Sequence, residues 1–219
     1  MTDTIKDLSE LRLSYEKGQL DEGQVDPNPH GQFLQWFNHA LQENFLEPYA
    51  MSLATCNRAG RPHVRTVLLR GATEQGYDFY TNYDSQKGLD LAESAFAELL
   101  FYWPSLERQI RVSGSVVKIP EAESTAYYHK RPRDSQIAAH LSTPQSGVIA
   151  SRELLEQRFK AFHEQVQDQA EIEKPAFWGG YRVQPDHYEF WQGRRNRMHD
   201  RISYDKHDDD QWIMQRLMP

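Results

Sequence analysis

Residues 127–136 hold a dense group of side chains suited to binding phosphate. Tyr127, Arg131, Arg133 and Ser135 fall within nine residues, and Pro132 ends the preceding helix and fixes the direction of the chain. Arginine presents a planar fork of donors that matches phosphate oxygens, and hydroxyl groups add further donors. A solvated basic surface is the alternative interpretation. We favour a phosphate site because so many suitable donors lie so close together.

A second group combines cations with an imidazole near the end of the chain. Arg197, His199 and Arg201 alternate along the sequence, so on a β-strand all three would project from one face. Trp178 and Trp191 supply flat apolar surface on which a ring system could stack. The pattern predicts two cations and a titratable group directed at one flat ligand, which a purely structural surface would not need.

Two further segments also have features of anion sites, but their patterns are less specific than those of the first two groups. Arg65 and Arg70 stand near the two ends of one predicted strand, although an exposed strand of a barrel would look the same. Ser85 can cap a helix whose first turn contains Lys87, and free N–H groups with the helix dipole favour an anion there. An ordinary capped helix stays open as the alternative for this second segment.

The elements that must position these residues are mostly strands. Apolar and polar residues alternate over Gln109–Val117, which fits a barrel wall with one polar face, and apolar residues recur at helical spacing from Gln32 to Phe45. The order of elements predicts a β-rich α+β fold, an antiparallel barrel with peripheral helices rather than βαβ units. The predicted strands are 50–56, 62–70, 77–82, 96–103, 108–119, 180–191, 198–204 and 211–217, and the predicted helices are about 8–17, 32–45, 84–94, 121–130 and 150–169.

Composition restricts the partners of the chain. A formal net charge of −7 over 219 residues argues against a general nucleic-acid partner, while the clustered cations suggest small anionic ligands. The single cysteine, Cys56, cannot form an intrachain disulfide, which fits a reducing cytosol. We find no apolar leader and no stretch near the ~20 apolar residues that span a bilayer, so a cytoplasmic protein without a membrane partner is expected. The histidines show no metal-ligand spacing, and no metal is expected.

Together these segments resemble the pyridoxamine 5'-phosphate oxidase family, the FMN enzymes that complete the synthesis of pyridoxal 5'-phosphate. The resemblance runs from Leu11 to Pro219, and its most specific parts are RPRDSQI at 131–137, FWGGYRV at 177–183 and EFWQG with RMHDR between 189 and 201. It implies an FMN-binding split β-barrel and a homodimer with FMN at the subunit interface. It also implies a mobile arm or lid over residues 1–30 and a single domain over 31–219, in which about 177–219 form a dimerisation and active-site segment.

The activity that the resemblance implies is FMN-dependent oxidation of pyridoxamine 5'-phosphate and pyridoxine 5'-phosphate to pyridoxal 5'-phosphate. O2 would be the electron acceptor, with hydrogen peroxide as a product and ammonia released from the amine. Two alternatives stay open: a non-catalytic split-barrel protein that binds FMN or haem, and a split-barrel reductase with another cofactor or substrate. The phosphate cluster at 127–135 argues against the first, because a pure flavin carrier needs no second phosphate site.

Functional residues of the family can be carried over onto matching positions of this chain. Arg197 and His199 match the catalytic positions beside the pyridine ring. The matched substrate-binding positions are Arg12, Tyr15, Arg70, Tyr127, Arg131, Ser135, Arg197, Met198 and His199. The matched FMN-binding positions are Arg65, Thr66, Val67, Leu68, Leu69, Arg70, Tyr80, Thr81, Gln86, Lys87, Gln109, Gln145, Ser146, Trp191 and Arg201. Four of these positions would reach FMN across the dimer interface, namely Gln145, Ser146, Trp191 and Arg201.

Several positions depart from the family pattern. Arg70 stands where many relatives have lysine, which keeps the charge but alters its reach. Gln86 stands where a basic residue often precedes Lys87, and Pro144 is an insertion before Gln145. Leu13 and Ser14 replace a more polar pair in the arm. No chemically necessary group is lost, so FMN affinity and closure of the arm are the properties that these changes would affect.

Overall fold

The computed structural model describes residue 11 and residues 13–219, which form two compact units. The first unit contains the described residues up to Pro48 together with Tyr102–Ile110 and Tyr188–Pro219. The second unit contains Tyr49–Phe101 and Arg111–His187. The single domain over residues 31–219 stays a prediction.

Strands make up most of the regular structure. The strand order is β2-β1-β5-β6-β7-β4-β3, with β8 paired to β7 and β9 paired to β8, and the pairs with a resolved register are antiparallel. Their bounds are β1 Ala50–Cys56, β2 Pro62–Leu68, β3 Gly71–Thr73, β4 Gly76–Asn82, β5 Phe96–Trp103, β6 Arg108–Lys118, β7 Trp178–Gln192, β8 Asp200–Lys206 and β9 Trp212–Arg216.

The β1–β2 ladder sets the position of one functional arginine. Leu53 and Thr55 are buried on β1 and alternate with half-buried residues, as the period of two requires. The antiparallel register pairs Leu53 with Arg65 and Thr55 with His63. Because directly opposed residues project to the same face, Arg65 lies diagonally beside Thr55.

Five α-helices accompany these strands within the described residues. They are α1 Pro29–Gln42, α2 Gln86–Glu93, α3 Glu121–Lys130, α4 Arg133–Leu141 and α5 Arg152–Val166. The Asn28 side chain caps α1 and Pro29 fills its first position, a combination typical of helix starts. No helix in the described part of the chain has the length and apolar character needed to cross a bilayer.

Two apolar clusters hold α4 in the second unit. Ala139 packs with Tyr128 and Trp178 in one cluster. Ile137 packs with Val166 and Ile172 in the other. Helix α4 is therefore held on two sides by tertiary packing, which stabilises short helices more than intrinsic propensity does.

Aromatic rings form the core of the first unit. The rings of Trp36 and Phe190 meet edge to face, with centroids 5.4 Å apart. Phe190 also contacts Tyr204 at 5.7 Å, and the Tyr204 hydroxyl donates to the Asp26 carbonyl at 2.8 Å. These contacts join α1, the end of β7 and β8 within this unit.

Most predicted elements are confirmed, and three differ. Strands β1 and β5 and helix α3 have the predicted bounds. The short helix predicted over 8–17 is absent from residues 13–17, which are irregular, while 8–10 and 12 lie outside the described residues. Strand β3 and helix α4 have no counterpart in the prediction.

Candidate functional site

Two cations converge at the start of α2 in the second unit. Lys87 lies in the first turn of this helix, and its Nζ donates to Thr81 Oγ1 at 3.1 Å and Ser85 Oγ at 3.3 Å. Ser85 is the N-cap, as predicted, and accepts from the N–H of Gly88. Burial and the positive charge of Arg65 both lower the pKa of Lys87. Two partly buried cations at a helix N-terminus form a site that an anion would stabilise.

The neighbouring Gln86 faces a different partner. Its amide Nε2 donates to Asp90 Oδ1 at 2.8 Å, one turn further along α2. Asp90 in turn accepts a hydrogen bond from Thr55 and lies within reach of His63. Direct contact between Gln86 and a cofactor stays a prediction.

Arg131 presents an unused donor beside an aromatic surface. Its guanidinium carbon lies 4.6 Å from the centre of the Trp178 ring, a cation–π contact. Nη1 of Arg131 is buried and has no hydrogen-bond partner in the described part of the protein. Burial lowers the pKa of Arg131, the charges of Tyr127 and Tyr128 act in the opposite direction, and Arg70 lowers it further. A buried, unpaired guanidinium donor is costly, so this position favours an anionic ligand.

Three other predicted phosphate-binding residues belong to the same unit. Ser135 is half-buried in the first turn of α4, directly after Arg131 and Pro132. Tyr127 lies in α3, and Arg70 is close enough to affect the pKa of Arg131. That these three residues bind the same substrate phosphate as Arg131 remains a prediction.

Arg133 has a structural contact instead of a place in this cluster. Its Nη2 donates to the carbonyl oxygens of Val166 and Gln169 at the end of α5. The last carbonyls of a helix have no partner within the helix, and a cation also suits the negative end of its dipole. The expectation that Arg133 helps to surround the phosphate is therefore not supported, since its guanidinium is engaged elsewhere.

A stack of three rings connects predicted cofactor and substrate residues. Tyr80 and Tyr127 have centroids 3.9 Å apart, and Trp178 lies 5.5 Å from Tyr80 with nearly parallel planes. Burial, reinforced by the charge of Asp78, raises the pKa of Tyr80 to about 12. Tyr80 therefore stays protonated at neutral pH and can only add a neutral hydroxyl to the site.

In the first unit, aromatic side chains surround His199. The ring of Trp191 lies 4.7 Å from His199, and the ring of Tyr15 lies 5.7 Å from each of them. The backbone N–H of Arg194 donates to His199 Nδ1 at 3.1 Å, so the neutral imidazole carries its proton on Nε2. Burial and then the charge of Arg197 lower the pKa of His199, although Asp200 acts against them.

The alternation predicted for Arg197, His199 and Arg201 is wrong. Asn196 and Arg197 have φ values of 57° and 61°, in the left-handed region, and β8 begins only at Asp200. Only Arg201 of the three lies on a strand, where it forms two hydrogen bonds with Glu189 at 2.9 and 3.0 Å. Two consecutive left-handed residues turn the chain, so spacing in sequence does not give a common face here.

The predicted arm residues that the structure describes are anchored in the first unit. The backbone N–H groups of Glu16 and Lys17 donate to one Glu107 oxygen at 2.7 and 2.9 Å. Arg195 forms an ion pair with Glu16. A cavity of about 460 Å³ opens here, lined by Tyr15, Glu16, Gly18, Arg194, Arg195, Asn196, Met198 and Asp200.

The remaining predicted site residues have less informative surroundings. Arg12 lies outside the described residues. Gln109 is half-buried on β6, and Gln145 and Ser146 lie in the segment after α4, with a φ of 59° at Ser146. On β2 and after it, Thr66 is exposed, Val67 and Leu68 are half-buried and Leu69 is buried. No group of three or more histidine, cysteine, aspartate or glutamate residues in the described chain is arranged to hold a metal ion.

Sequence reasoning did not identify Thr55, Asp90 or Glu107. Thr55 and Asp90 look like ordinary strand and helix residues, because nothing near them in sequence marks their contacts. Glu107 has a φ of 54° and is buried, and a glutamate in the left-handed region has no signature in sequence. Only the folded chain brings these residues to their partners.

Comparison with known proteins gives one consistent family. Residues 37–166 match the family model described as pyridoxamine 5'-phosphate oxidase. Residues 178–219 match the model described as pyridoxine 5'-phosphate oxidase C-terminal dimerisation region. A protein of Acinetobacter baylyi named pyridoxine/pyridoxamine 5'-phosphate oxidase is 74% identical over 100% of both chains. One with the same name from Psychrobacter arcticus is 51% identical over 97% of this chain and 99% of its own.

Solved structures agree in fold. PhzG from Burkholderia lata, in complex with tetrahydrophenazine-1-carboxylic acid, has a TM-score of 0.83 at 27% identity and covers 90% of this chain and 95% of its own. A pyridoxamine 5'-phosphate oxidase-related, FMN binding protein from Nostoc punctiforme has a TM-score of 0.71 at 18% identity and covers 89% of this chain and 100% of its own. The predicted β-rich split barrel with peripheral helices is confirmed as the fold class.

Proposed function

The chain belongs to the pyridoxamine 5'-phosphate oxidase family, and on that premise we propose that it oxidises pyridoxamine 5'-phosphate and pyridoxine 5'-phosphate to pyridoxal 5'-phosphate. O2 is the proposed electron acceptor and hydrogen peroxide the proposed second product, with ammonia released from the amine. The enzyme class follows from the family and from whole-length relatives with that name.

One observation carries the choice of a phosphorylated substrate. Arg131 holds a buried guanidinium N–H without a partner in the described chain, next to an aromatic surface. Arg70, Tyr127 and Ser135 are the further proposed phosphate ligands in the same unit. A phosphate would satisfy the unpaired donor, and binding energy from this remote group can orient the reacting carbon.

The residues at the start of α2 fit the phosphate of FMN. Arg65 and Lys87 supply two cations, and Thr81 and Ser85 already hold Lys87 in place. Tyr80, half-buried and protonated, directly precedes Thr81 on β4 and is a further proposed FMN contact. When bound, FMN supplies the acceptor for the hydride that leaves the C4' carbon of the substrate.

Arg197 and His199 are the residues proposed to act at the pyridine ring. Arg197 is exposed and carries a positive charge that can orient the ring and polarise its reacting end. His199 presents a neutral Nε2–H that can donate to the substrate or assist proton movement. Tyr15 and Trp191 flank the half-buried ring of His199. For the amine substrate, the imine that oxidation leaves would hydrolyse to the aldehyde and ammonia.

We propose a homodimer with FMN at the subunit interface. The match of residues 178–219 to a C-terminal dimerisation region supports this assembly. Gln145, Ser146, Trp191 and Arg201 are the residues proposed to reach the FMN bound by the other subunit.

A turnover assay tests the proposed activity. Purified protein reconstituted with FMN should consume O2 and form pyridoxal 5'-phosphate and hydrogen peroxide from either substrate, and should use unphosphorylated pyridoxine poorly. Arg197→Ala should keep bound FMN but lose most of kcat/KM, whereas Arg152→Ala, on the exposed face of α5, should behave like wild type. Near wild-type turnover by Arg197→Ala would remove the role assigned to Arg197.

A non-catalytic flavin or haem carrier is the alternative from another class. It would bind its cofactor and show no substrate-dependent O2 consumption. The phosphate-binding features around Arg131 weigh against it, because a carrier has no use for a second anion site. The assay above separates the two functions directly.

A further inference from the structure

A buried carboxylate lies behind the proposed FMN phosphate site and has no part in the function proposed above. Asp90 on α2 is 1% exposed. Its Oδ2 accepts from Thr55 Oγ1 at 2.6 Å and lies 2.9 Å from His63 Nδ1, and its Oδ1 accepts from Gln86 at 2.8 Å. Burial acts to raise the pKa of Asp90, but hydrogen bonds from Thr55, Gln86 and His63 outweigh it and leave the pKa below its ordinary value.

Thr55 connects this carboxylate to Arg65. Arg65 Nη1 donates to Thr55 Oγ1 at 2.7 Å and to the Leu53 carbonyl at 3.1 Å, while its Nη2 lies 3.9 Å from Asp90 Oδ2. A hydroxyl has one proton, and an ionised carboxylate can only accept. The Thr55 proton must therefore point at Asp90, which turns the oxygen lone pairs toward Arg65.

An arginine held in this way loses little freedom when a ligand binds. Arginine has many rotamers, and fixing one of them on binding costs free energy that a preorganised side chain does not lose. Hydrogen bonds to Thr55 and to the Leu53 carbonyl already fix Nη1 of the Arg65 guanidinium. The arrangement also assigns a structural role to Gln86, since its amide donates a hydrogen bond to the second oxygen of Asp90.

We propose that Thr55 and Asp90 are positioning residues that orient Arg65 and so set the affinity for the phosphate of the flavin. This inference rests on the proposed function, because it takes the anion at Arg65 and Lys87 to be the FMN phosphate. Neither residue is proposed to contact the flavin, and both act through Arg65.

The test compares FMN with riboflavin, which has the same ring and no phosphate. Apoprotein is titrated with each flavin, and the quenching of flavin fluorescence gives the dissociation constants. Thr55→Val removes the hydroxyl and nearly keeps the side-chain shape. It should weaken FMN binding about tenfold or more, the usual effect of losing a hydrogen bond to a charged group, and leave riboflavin affinity unchanged.

Two variants serve as controls. Thr55→Ser keeps the hydroxyl and should restore FMN affinity to near the wild-type value. Thr73→Val makes the same chemical change on β3, where the exposed hydroxyl accepts from the N–H of Gln75, and should leave both affinities unchanged.

Each outcome decides the proposal. Selective loss of FMN affinity in Thr55→Val, with rescue by serine, supports it. Equal FMN affinity in Thr55→Val and wild type overturns it. Parallel loss of FMN and riboflavin also overturns it, because Thr55 would then maintain the fold rather than orient Arg65. If the wild type binds neither flavin, the proposed function itself fails, and that result is distinct from the others.

Discussion

Arg131 and Arg133 stand two positions apart and carry the same charge, yet their surroundings differ. Arg131 has a buried donor without a partner in the described chain, whereas Arg133 binds the carbonyls that end α5. The sequence shows that cations cluster here, but it cannot show which one a neighbouring helix end engages. That distinction comes from α5, which is distant in sequence.

This difference predicts opposite effects of two matched substitutions. Arg131→Ala should raise KM for pyridoxine 5'-phosphate about tenfold or more, because a charge-assisted hydrogen bond to phosphate is lost, and should leave FMN bound. Arg133→Ala should lower Tm by several degrees and change KM little. Steady-state kinetics and thermal unfolding of both variants provide the measurements. The assignment fails if Arg133→Ala raises KM as much as Arg131→Ala does.

His199 should titrate at a lower pH than a free histidine. Its pKa lies below the ordinary value of 6.5, because burial and the charge of Arg197 disfavour the charged imidazolium. The neutral form is thus kept above pH 6.5, and the contribution of His199 to stability and activity should be lost only as the pH falls below that value. NMR titration of the imidazole, assigned by its absence in His199→Gln, measures the midpoint. A midpoint above 6.5 would contradict the assigned environment.

At the scale of elements, alternation and capping made much of the fold predictable. The short apolar strand Ala50–Cys56 has the predicted bounds, the alternating segment Gln109–Val117 lies within β6, and Ser85 caps α2 as expected. The sequence does not predict helix α4, because Pro132 indicates the end of a helix there, although proline also precedes helix starts. The left-handed pair at Asn196 and Arg197 could not be predicted, since few non-glycine residues adopt this conformation and tertiary contacts select them.

Glu107, which directly precedes β6, anchors the described start of the chain, residues 13–18. A single carboxylate oxygen accepts from the backbone N–H groups of both Glu16 and Lys17. Glu107→Ala removes both bonds and should accelerate amide hydrogen exchange in residues 13–18, while exchange in β1 stays slow. Exchange followed by mass spectrometry reports both segments at once. Unchanged exchange in 13–18 would mean that Glu107 does not hold this segment.

At the scale of the whole molecule, the proposed site needs two copies of the chain. Residues 178–219 match a dimerisation region, and four proposed FMN contacts are assigned to the opposite subunit. Sedimentation velocity should therefore give a species of twice the 25.7 kDa chain mass. A monomer that still turns over substrate at the wild-type rate would refute the shared site.

The sequence predicts which residues could bind the ligands of the site, but it does not predict the contacts that hold those residues in place. The resemblance of the sequence to the family supplied the identities of the proposed ligands, and the fold class was confirmed. The sequence could not supply the supporting contacts, such as those of Thr55 and Asp90, because each joins residues that are far apart in the chain. These contacts depend on the register of β1 with β2 and on the placement of α2.

In the proposed reaction, one bound phosphorylated B6 substrate transfers hydride directly to a flavin held by this protein. Anaerobic titration of the FMN-reconstituted protein with pyridoxine 5'-phosphate tests it, with absorbance of the oxidised flavin as the readout. We expect this absorbance to be lost as substrate is added and to return when O2 is admitted, with pyridoxal 5'-phosphate formed in equal amount. A flavin that stays oxidised while substrate is bound would rule out direct hydride transfer.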